Sequence, residues 1–444
     1  ALLAAGADVL VWDDRAEARA AFAGRCAVAD PLEADLAGYA GMVVSPGVPL
    51  NTHPIKPHAD SSGVPVIGDI ELFALALRDV PEKRRPKVIG ITGTNGKSTT
   101  TALIGHILRE TGRKTVVGGN IGDAILAQDP PSPGLHYVLE LSSYQIDLTH
   151  SLACDVAVLL NITPDHIDRH GDFDGYFRAK QRLFEMQAPS GQAVIGIDDN
   201  ETAAFFSRLR QTRREEQVVP ISSGRVFARG VYALGDRVYD ALDTASHPAV
   251  DLKRAPALPG RHNAQNVAAA LAAVRLLGVS ARAAAEAIYT FPGLPHRQES
   301  VATLGGIRFV NDSKATNAEA AIQALTCYDS IRWIVGGRAK EGGLKAAMGA
   351  AGRIARAYLI GEAEERFAGE LDGQIPFTRC GTLEAAVTAA TRDAWADGRP
   401  GEVVLLSPAA ASFDQFTSYE ARGDAFRTIV SGLTVPDDAA EHVS

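Results

Sequence analysis

VIGITGTNGKSTTT, residues 88–101, joins a short apolar run to a glycine-rich turn and then to a string of small, hydroxyl-bearing residues. The run has strand character and the string opens a helix, with Lys97 and Ser98 at the join. A strand, glycine loop and helix in this order form a site for polyphosphate. The N–H groups of Gly93, Thr94, Asn95 and Gly96 and the helix N-terminus attract the anion, and Lys97 adds a point charge. Ser98 or Thr99 can hold Mg²⁺. The general pattern wants a glycine five residues before Gly96, where this chain has Ile91; Gly93 comes two residues later. The loop is therefore a variant, TGTNGKST, and it predicts that the chain handles a nucleoside triphosphate.

The 444 residues fit two to four domains at roughly 100–200 residues each. With 46% hydrophobic and 22% charged residues the composition is that of an ordinary globular protein. A formal charge of −9 argues against a general nucleic-acid binder. The four cysteines, Cys26, Cys154, Cys327 and Cys380, lie far apart, which fits thiols of a reducing compartment and not a disulfide or zinc framework. No apolar run approaches the ~20 residues of a membrane helix, and the start does not read as a signal peptide, so a cytoplasmic protein that does not contact membranes is expected.

Residues 1–80 alternate strand and helix signals: 7–12, 41–44 and 65–67 read as strands, and IELFALAL opens a helix after Asp69. Their carboxyl ends carry polar and Gly/Pro residues, as in a doubly wound α/β domain that binds ligands there. An acidic residue closing the second strand of such a domain often contacts a ribose, ~20 residues after a glycine turn. If Asp13 is that residue, the first strand and its glycine loop precede residue 1. A solvated turn is the alternative for the Asp13-Asp14 pair. Residues 78–87, RDVPEKRRPK, read as a linker. Strands are then expected at 88–92, 115–117, 137–141, 156–160 and 193–197 in a mostly parallel sheet. Residues 217–257 read as a small antiparallel flap and 263–277 as a helix. FPGLP, residues 291–295, marks a second boundary. Strands at 307–310, 333–335, 358–360 and 403–406 follow. The expected fold class is α/β with three consecutive domains, 1–80, 81–293 and 294–444.

Several strand ends carry chemistry. Glu140, closing YVLE, can hold the Mg²⁺ that also meets Ser98; a capping or ion-paired glutamate is the alternative. NITPDHIDRH, residues 161–170, sits at another strand end. His166 reads there as functional, Asp168 and His170 as surface residues, and Thr163-Pro164 can equally just open a helix. Lys180, between Arg178 and Arg182, reads as solvated or ion-paired. NDSKATN at 311–317, GGRAK at 336–340 and SPAAASFDQF at 407–416 suggest a polar pocket for an anionic small molecule.

Together with SPG at 45–47, GDIELF at 68–73 and ELSSYQ at 140–145, these stretches resemble the Mur ligases, the ATP-dependent amide-forming enzymes of peptidoglycan precursor synthesis. GTNGKST alone marks the superfamily, which includes the folylpolyglutamate synthases. The more specific motifs resemble the branch that adds D-glutamate to UDP-N-acetylmuramoyl-L-alanine.

The resemblance implies a Rossmann-like domain for the uridylated substrate, a central ATP domain and a Rossmann-like domain for D-glutamate. It implies ATP and two Mg²⁺, with Ser98 and Glu140 on the first ion and His166 on the second. It also implies that Lys180 takes up CO₂ to become a carbamate, an oxygen ligand that hard Mg²⁺ accepts. Residues 93–99, Asn263, Arg297 and Asp312 are implied to contact ATP, with His296 beside them. Asp13, Arg15, Ser45, Pro46 and Gly47 match the UDP side, and Asn120, Ser142 and Gln145 the sugar-peptide. Lys314, Thr316, Lys340, Ser412 and Tyr419 match the D-glutamate pocket, Tyr419 standing where the family often has Phe.

The implied reaction passes through an acyl phosphate, in a chain expected to act as a monomer, with residues 291–295 as the hinge of closure. A sibling ligase for another amino acid, or a nucleotide-dependent binding protein, are the rival readings.

Overall fold

In a computed structural model, residues 1–128, 130–243, 245–399 and 401–435 are described. The chain forms two compact units, residues 1–254 with 263–290, and residues 255–262 with 291–444.

The first unit is built on a nine-stranded sheet. Its strands are β5 (Lys87–Thr92), β6 (Thr115–Gly119), β7 (His136–Glu140), β8 (Val156–Leu159), β9 (Gln192–Gly196), β10 (Val218–Ser222), β11 (Gly230–Leu234), β12 (Arg237–Ala241) and β13 (His247–Asp251), in the order β13-β12-β11-β10-β9-β8-β5-β7-β6. The strands from β6 to β10 through β5 are parallel, which explains why they read as near-continuous apolar runs: both faces are covered. Val88, Tyr137, Leu139, Ala157, Leu159, Ala193 and Ile195 share one core, while the alternate Ile89, Ile91, Val138, Val158 and Val194 are also buried. The strand order reverses at β5, so its carboxyl end is the crevice where such sheets bind ligands.

Residues 217–257 do not form a separate flap. β10 is buried throughout and pairs in parallel with β9, so it belongs to the main sheet. β11 to β13 extend that sheet, the β11–β12 hairpin turning through Gly235 at a φ of 55°.

In residues 1–80 the strands are short: β1 (Leu10–Val11) pairs with β2 (Ala27–Val28), and β3 (Met42–Val43) with β4 (Val66–Ile67), all parallel. A small core of Leu36, Met42, Val44, Ile55, Ala59 and Val64 also takes in Leu148. The Asp69–Arg78 helix turns Ile70, Phe73, Ala74 and Leu77 into the core of the large sheet. Buried Glu71 locks this junction: Oε2 accepts the N–H groups of His150 (2.6 Å) and Ser151 (2.9 Å), and Oε1 the Ser151 hydroxyl (2.6 Å).

The second unit has β14 (Glu299–Leu304), β15 (Ile307–Asn311), β16 (Ile331–Gly336), β17 (Ile354–Ile360), β18 (Phe377–Gly381) and β19 (Val403–Leu406) in the order β14-β15-β19-β16-β17-β18. All pair in parallel except β14, which forms a hairpin with β15 through Gly305-Gly306, both at positive φ. Alternate residues of the sheet feed two cores, one with Val310, Trp333, Leu359 and Leu405, the other with Phe309, Ile334, Ile360 and Leu406. β14 and β18 have no counterpart in the expected strands. Their half-exposed edge positions lack the apolar continuity that marks the inner strands.

Replacing Glu71 by Ala leaves two part-buried backbone N–H groups and the Ser151 hydroxyl without their acceptor. The expected cost is about 3 kcal/mol of stability, read as a lower urea midpoint for the first unit's transition.

Candidate active site

The β5 strand ends at Thr92, and the chain then loops through 93–96 into the Lys97–Glu110 helix. Gly96, at the helix N-cap, has a φ of 83°, and a Cβ there would collide with the Asn266 carboxamide. Only glycine meets both demands. Asn161, at the end of the neighbouring β8, pins the loop: its backbone carbonyl accepts from Thr94 N (3.1 Å), its Oδ1 from Asn95 N (2.9 Å), and its Nδ2 donates to Asn95 O (3.2 Å). Thr94 adds contacts to Thr163 and to the Tyr176 hydroxyl at 3.1 Å. Lys97 folds back, donating to Gly93 O (3.0 Å) and Thr94 O (2.8 Å). Ser98 and Thr99 are buried in the first helical turn.

Parallel pairing sets Glu140 opposite Ile91, so its carboxylate stands beside the loop's root. It is 2% exposed. Oε1 accepts from Asn120 Nδ2 at 3.0 Å, while Oε2 is buried without a hydrogen-bond partner. A carboxylate oxygen so placed is an unfilled acceptor beside a polyphosphate loop, and that fits a hard divalent cation. Among the described residues no three His, Cys, Asp or Glu side chains converge as a ready-made cage. Mg²⁺ takes few protein ligands and completes its shell with phosphate and water, so the sparse donor set fits it.

Lys180 is not solvated. It is 1% exposed, with Nζ 3.0 Å from Gly93 O, 3.4 Å from Thr92 Oγ1 and 4.6 Å over the Tyr176 ring. Burial, reinforced by the Lys97 charge, pushes its pKa well below the ordinary lysine range, with Asp165 and Glu140 pulling weakly the other way. The group is a buried amine within the same small region as Glu140 and Lys97.

His166 is exposed and adopts left-handed backbone, φ 53° and ψ 34°. Its Nδ1 lies 3.0 Å from the Tyr144 hydroxyl, and Nε2 3.5 Å from Asp165 Oδ2. His170 is half-buried and not a surface residue, its Nε2 3.0 Å from Ser143 Oγ, and burial lowers its pKa. Asp168 is exposed, and its backbone carbonyl accepts from Asn51.

Ser142 and Gln145 form a capping box on the Ser143–Asp147 helix, each side chain meeting the other's backbone N–H. Asn120 is spent on Glu140. Asp13 and Ser45 line a cavity of about 570 Å³ together with Trp12, Leu36, Met42 and His53. Arg15, Pro46 and Gly47 are not among its lining residues; Arg15 is exposed and pairs with Asp13 at 3.2 Å, which lowers the Asp13 pKa. Asn263, buried, accepts from Asn266 at 3.0 Å. Asn266 also meets Thr100 at 3.3 Å. The sequence reading passed over Asn266, although it follows Asn263 at helical i,i+3 spacing, and over Asn161.

In the second unit the ends of β15, β16 and β19 meet around Arg422. This buried guanidinium donates to Ser313 Oγ (3.0 Å), Ser313 O (2.9 Å) and Ala410 O (3.1 Å), and burial lowers its pKa to about 10. Arg338 and Ala411 pair backbone to backbone, fixing the GGRAK segment against the loop of buried Ser412. Lys314 Nζ sits 5.4 Å over the Tyr419 ring. Lys314 O accepts from Thr316 N, whereas Lys340 is exposed. Asp312 is buried, accepting from Ser407 Oγ (2.8 Å) and Gln298 N (3.1 Å), and burial raises its pKa to about 7 against the pull of Arg297. His296, at a φ of 59°, is buried with Nδ1 3.1 Å from Asn311 Nδ2, and burial lowers its pKa.

Residues 91–274 match the Mur ligase middle domain. The UDP-N-acetylmuramoylalanine–D-glutamate ligase of Caulobacter sp. (strain K31) is 52% identical over 442 residues, 98% of this chain and 93% of the relative. That of Phenylobacterium zucineum (strain HLK1) is 51% identical over 439 residues with the same coverage. Among solved structures, UDP-N-acetylmuramate-alanine ligase from Thermotoga maritima shares the fold at a TM-score of 0.56 and 16% identity, over 97% of this chain and 95% of that one. A UDP-N-acetylmuramoyl-L-alanyl-D-glutamate–2,6-diaminopimelate ligase does so at 0.58 and 20%, over 91% and 94%. With half of its residues shared over nearly its whole length, the chain belongs to the Mur ligase family, in the group of the UDP-N-acetylmuramoylalanine–D-glutamate ligases.

Proposed function

We propose that this chain uses ATP to join D-glutamate to UDP-N-acetylmuramoyl-L-alanine, a step of peptidoglycan precursor synthesis. The observation that carries the reading is the pair Glu140 and Lys180. A nucleotide switch also gives its Mg²⁺ a carboxylate, but it has no use for a buried lysine besides Lys97 at its phosphate loop.

The reaction needs no protein nucleophile. The alanyl carboxylate of the substrate attacks the γ-phosphorus of ATP, ADP leaves, and an acyl phosphate forms. The amine of D-glutamate then attacks the acyl carbon, phosphate leaves, and the amide remains. Two anions must approach each other in the first step. Lys97 exchanges the carbonyls of Gly93 and Thr94 for phosphate oxygens and offsets part of the repulsion. Ser98 and Glu140 would hold one Mg²⁺, and His166 with a carbamate on Lys180 a second. Such ions supply charge neutralisation to the reacting oxygens. Burial favours the uncharged form of Lys180, and the free amine's lone pair can add to CO₂ with loss of one proton.

Functionally we divide the chain at 1–80 for the uridylated substrate, with Asp13, Arg15 and 45–47, at 81–293 for ATP, and at 294–444 for D-glutamate. Ser142, Gln145 and Asn120 approach the sugar-peptide. Asn263, Arg297 and Asp312 serve ATP, with His296 beside them. Lys314, Lys340, Thr316, Ser412 and Tyr419 receive the two carboxylates of D-glutamate. The same reading makes the enzyme a cytoplasmic monomer; its four free cysteines fit a reducing compartment.

Phosphate release assayed against a panel of amino acids is expected to require UDP-N-acetylmuramoyl-L-alanine and to prefer D-glutamate. Preference for another amino acid would move the chain to a sibling activity, and turnover independent of both substrates would remove the ligase reading. K180A is expected to lower kcat by on the order of 100-fold or more. With ¹³C-enriched bicarbonate, the wild-type protein should show a carbamate carbonyl resonance that K180A lacks.

Asp312 gives a pH dependence of stability. Its folded pKa of about 7 lies above the ordinary aspartate value of 3.8, so its contribution is full below pH ~4 and is lost as pH rises through 7. D312N carries no such loss. Its melting temperature relative to wild type is expected to climb between pH 5 and pH 8; a constant difference across that range would contradict the raised pKa.

A further inference from the structure

Tyr144 stands between two parts of the first unit that the mechanism treats separately. Its hydroxyl lies 3.0 Å from His166 Nδ1, and the two rings are 4.9 Å apart at 54°. On the other side the Arg169 guanidinium lies 5.3 Å from the Tyr144 ring centroid. Arg169 is 8% exposed; its Nη1 donates to Val48 O, and its Nη2 is buried without a partner. Asn51 donates to Asp168 O at 2.9 Å, so the turn after 45–47 and the segment 165–170 are tied twice. Among the described residues no carboxylate pairs with this buried cation, which is held by one carbonyl and one aromatic face, a costly arrangement for stability alone.

His166 itself is in left-handed backbone, a strained state for a residue with a side chain, which persists only when its surroundings determine it. Asp165 Oδ1 takes the His166 N–H at 3.0 Å, while Oδ2, 3.5 Å from Nε2, is beyond good hydrogen-bond reach. The imidazole therefore has one close polar partner, and it is on Nδ1. A ligating histidine usually donates its second ring N–H to such a partner, which fixes tautomer and orientation.

We propose that Tyr144, clamped by Arg169, is a positioning residue. Its oxygen accepts the Nδ1–H of His166 and so presents the Nε2 lone pair, beside Asp165, to the divalent cation at the reacting carboxylate. The proposal rests on the metal-binding role given to His166 above. It also makes the 45–51 turn, through Val48 and Arg169, a support of that histidine.

Y144F removes one hydroxyl and keeps the ring that Arg169 covers. At pH 8, ¹⁵N spectra of the histidine-labelled full chain, with H166Q identifying the His166 ring, are expected to show Nδ1 protonated in wild type. In Y144F the same ring should show a mixture of tautomers, kcat should fall about tenfold, and KM for ATP should stay within about twofold. R169K keeps a cation but not the flat guanidinium, and is expected to move the same resonances by a smaller amount. A wild-type ring protonated on Nε2, resonances unmoved in both variants, or moved resonances with unchanged kcat would each overturn the proposal. Loss of activity with unmoved resonances would do so too, since Tyr144 would then act by another route. H166Q with wild-type turnover would instead remove the metal role of His166, while the ring spectra still report the Tyr144 contact.

Discussion

The pairing of β5 with β7 and β8 is the constraint on which the site depends. Ile91 faces Glu140 on one side and Thr92 faces Leu159 on the other. That register brings the phosphate loop, the Glu140 carboxylate and the Asn161 clamp to one level of the sheet. The Thr92 hydroxyl, donating to Leu141 O at 2.9 Å, pins the strand ends together above the last ladder bond. A slip of two residues keeps every apolar side chain on its proper face but moves Glu140 by about 7 Å, out of reach of the loop. Burial alone therefore does not protect the site. The specific hydrogen bonds at the carboxyl ends select among registers that the core would tolerate.

Much of this was legible in the chain itself. The apolar run, displaced glycine and hydroxyl string at 88–101 gave strand, loop and helix, and the YVLE ending gave Glu140 its place. Lys180 was misjudged because Arg178 and Arg182 flank it in sequence. Helical spacing tells otherwise: Tyr176, Lys180, Leu183 and Phe184 fall on one face, and that face is buried. The S-x-x-Q pattern of Ser142 and Gln145 is likewise a capping signature, and both side chains act as one. The GG hairpin between β14 and β15 was a readable turn. The Arg422 contacts, more than a hundred residues from Ser313, had no local signal at all. Nor did the Tyr144–His166–Arg169 stack, since nothing in spacing fixes which ring nitrogen meets which hydroxyl.

The second unit holds its strand ends by a different device. Where the first uses the Asn161, Asn266 and Gln265 carboxamides, the second uses one guanidinium on backbone carbonyls. Carbonyl acceptors satisfy Arg422 without a counter-ion, so its charge remains in the interior. Burial lowers its pKa to about 10, still high enough to keep it protonated at neutral pH. A retained positive charge next to Ser313 and Ala410 favours anions in the loops it ties, which suits the carboxylate binding proposed there.

Unsatisfied buried groups separate machinery from scaffold, but only together with position. Glu140 Oε2 and Glu402 Oε2 are both buried and unpartnered. Glu402 precedes β19 and so lies at the amino end of its strand, where its other oxygen takes Arg332 Nε at 2.6 Å and the Arg332 guanidinium also reaches Asp397. It belongs to an ion network at the amino ends of the two central strands, β19 and β16. Glu140 closes its strand at the end where α/β sheets receive ligands, and its other oxygen meets only a neutral amide. The first carboxylate has its counter-charge built in. The Glu140 carboxylate is left open to a cation from solution, which suits the Mg²⁺ role proposed for it.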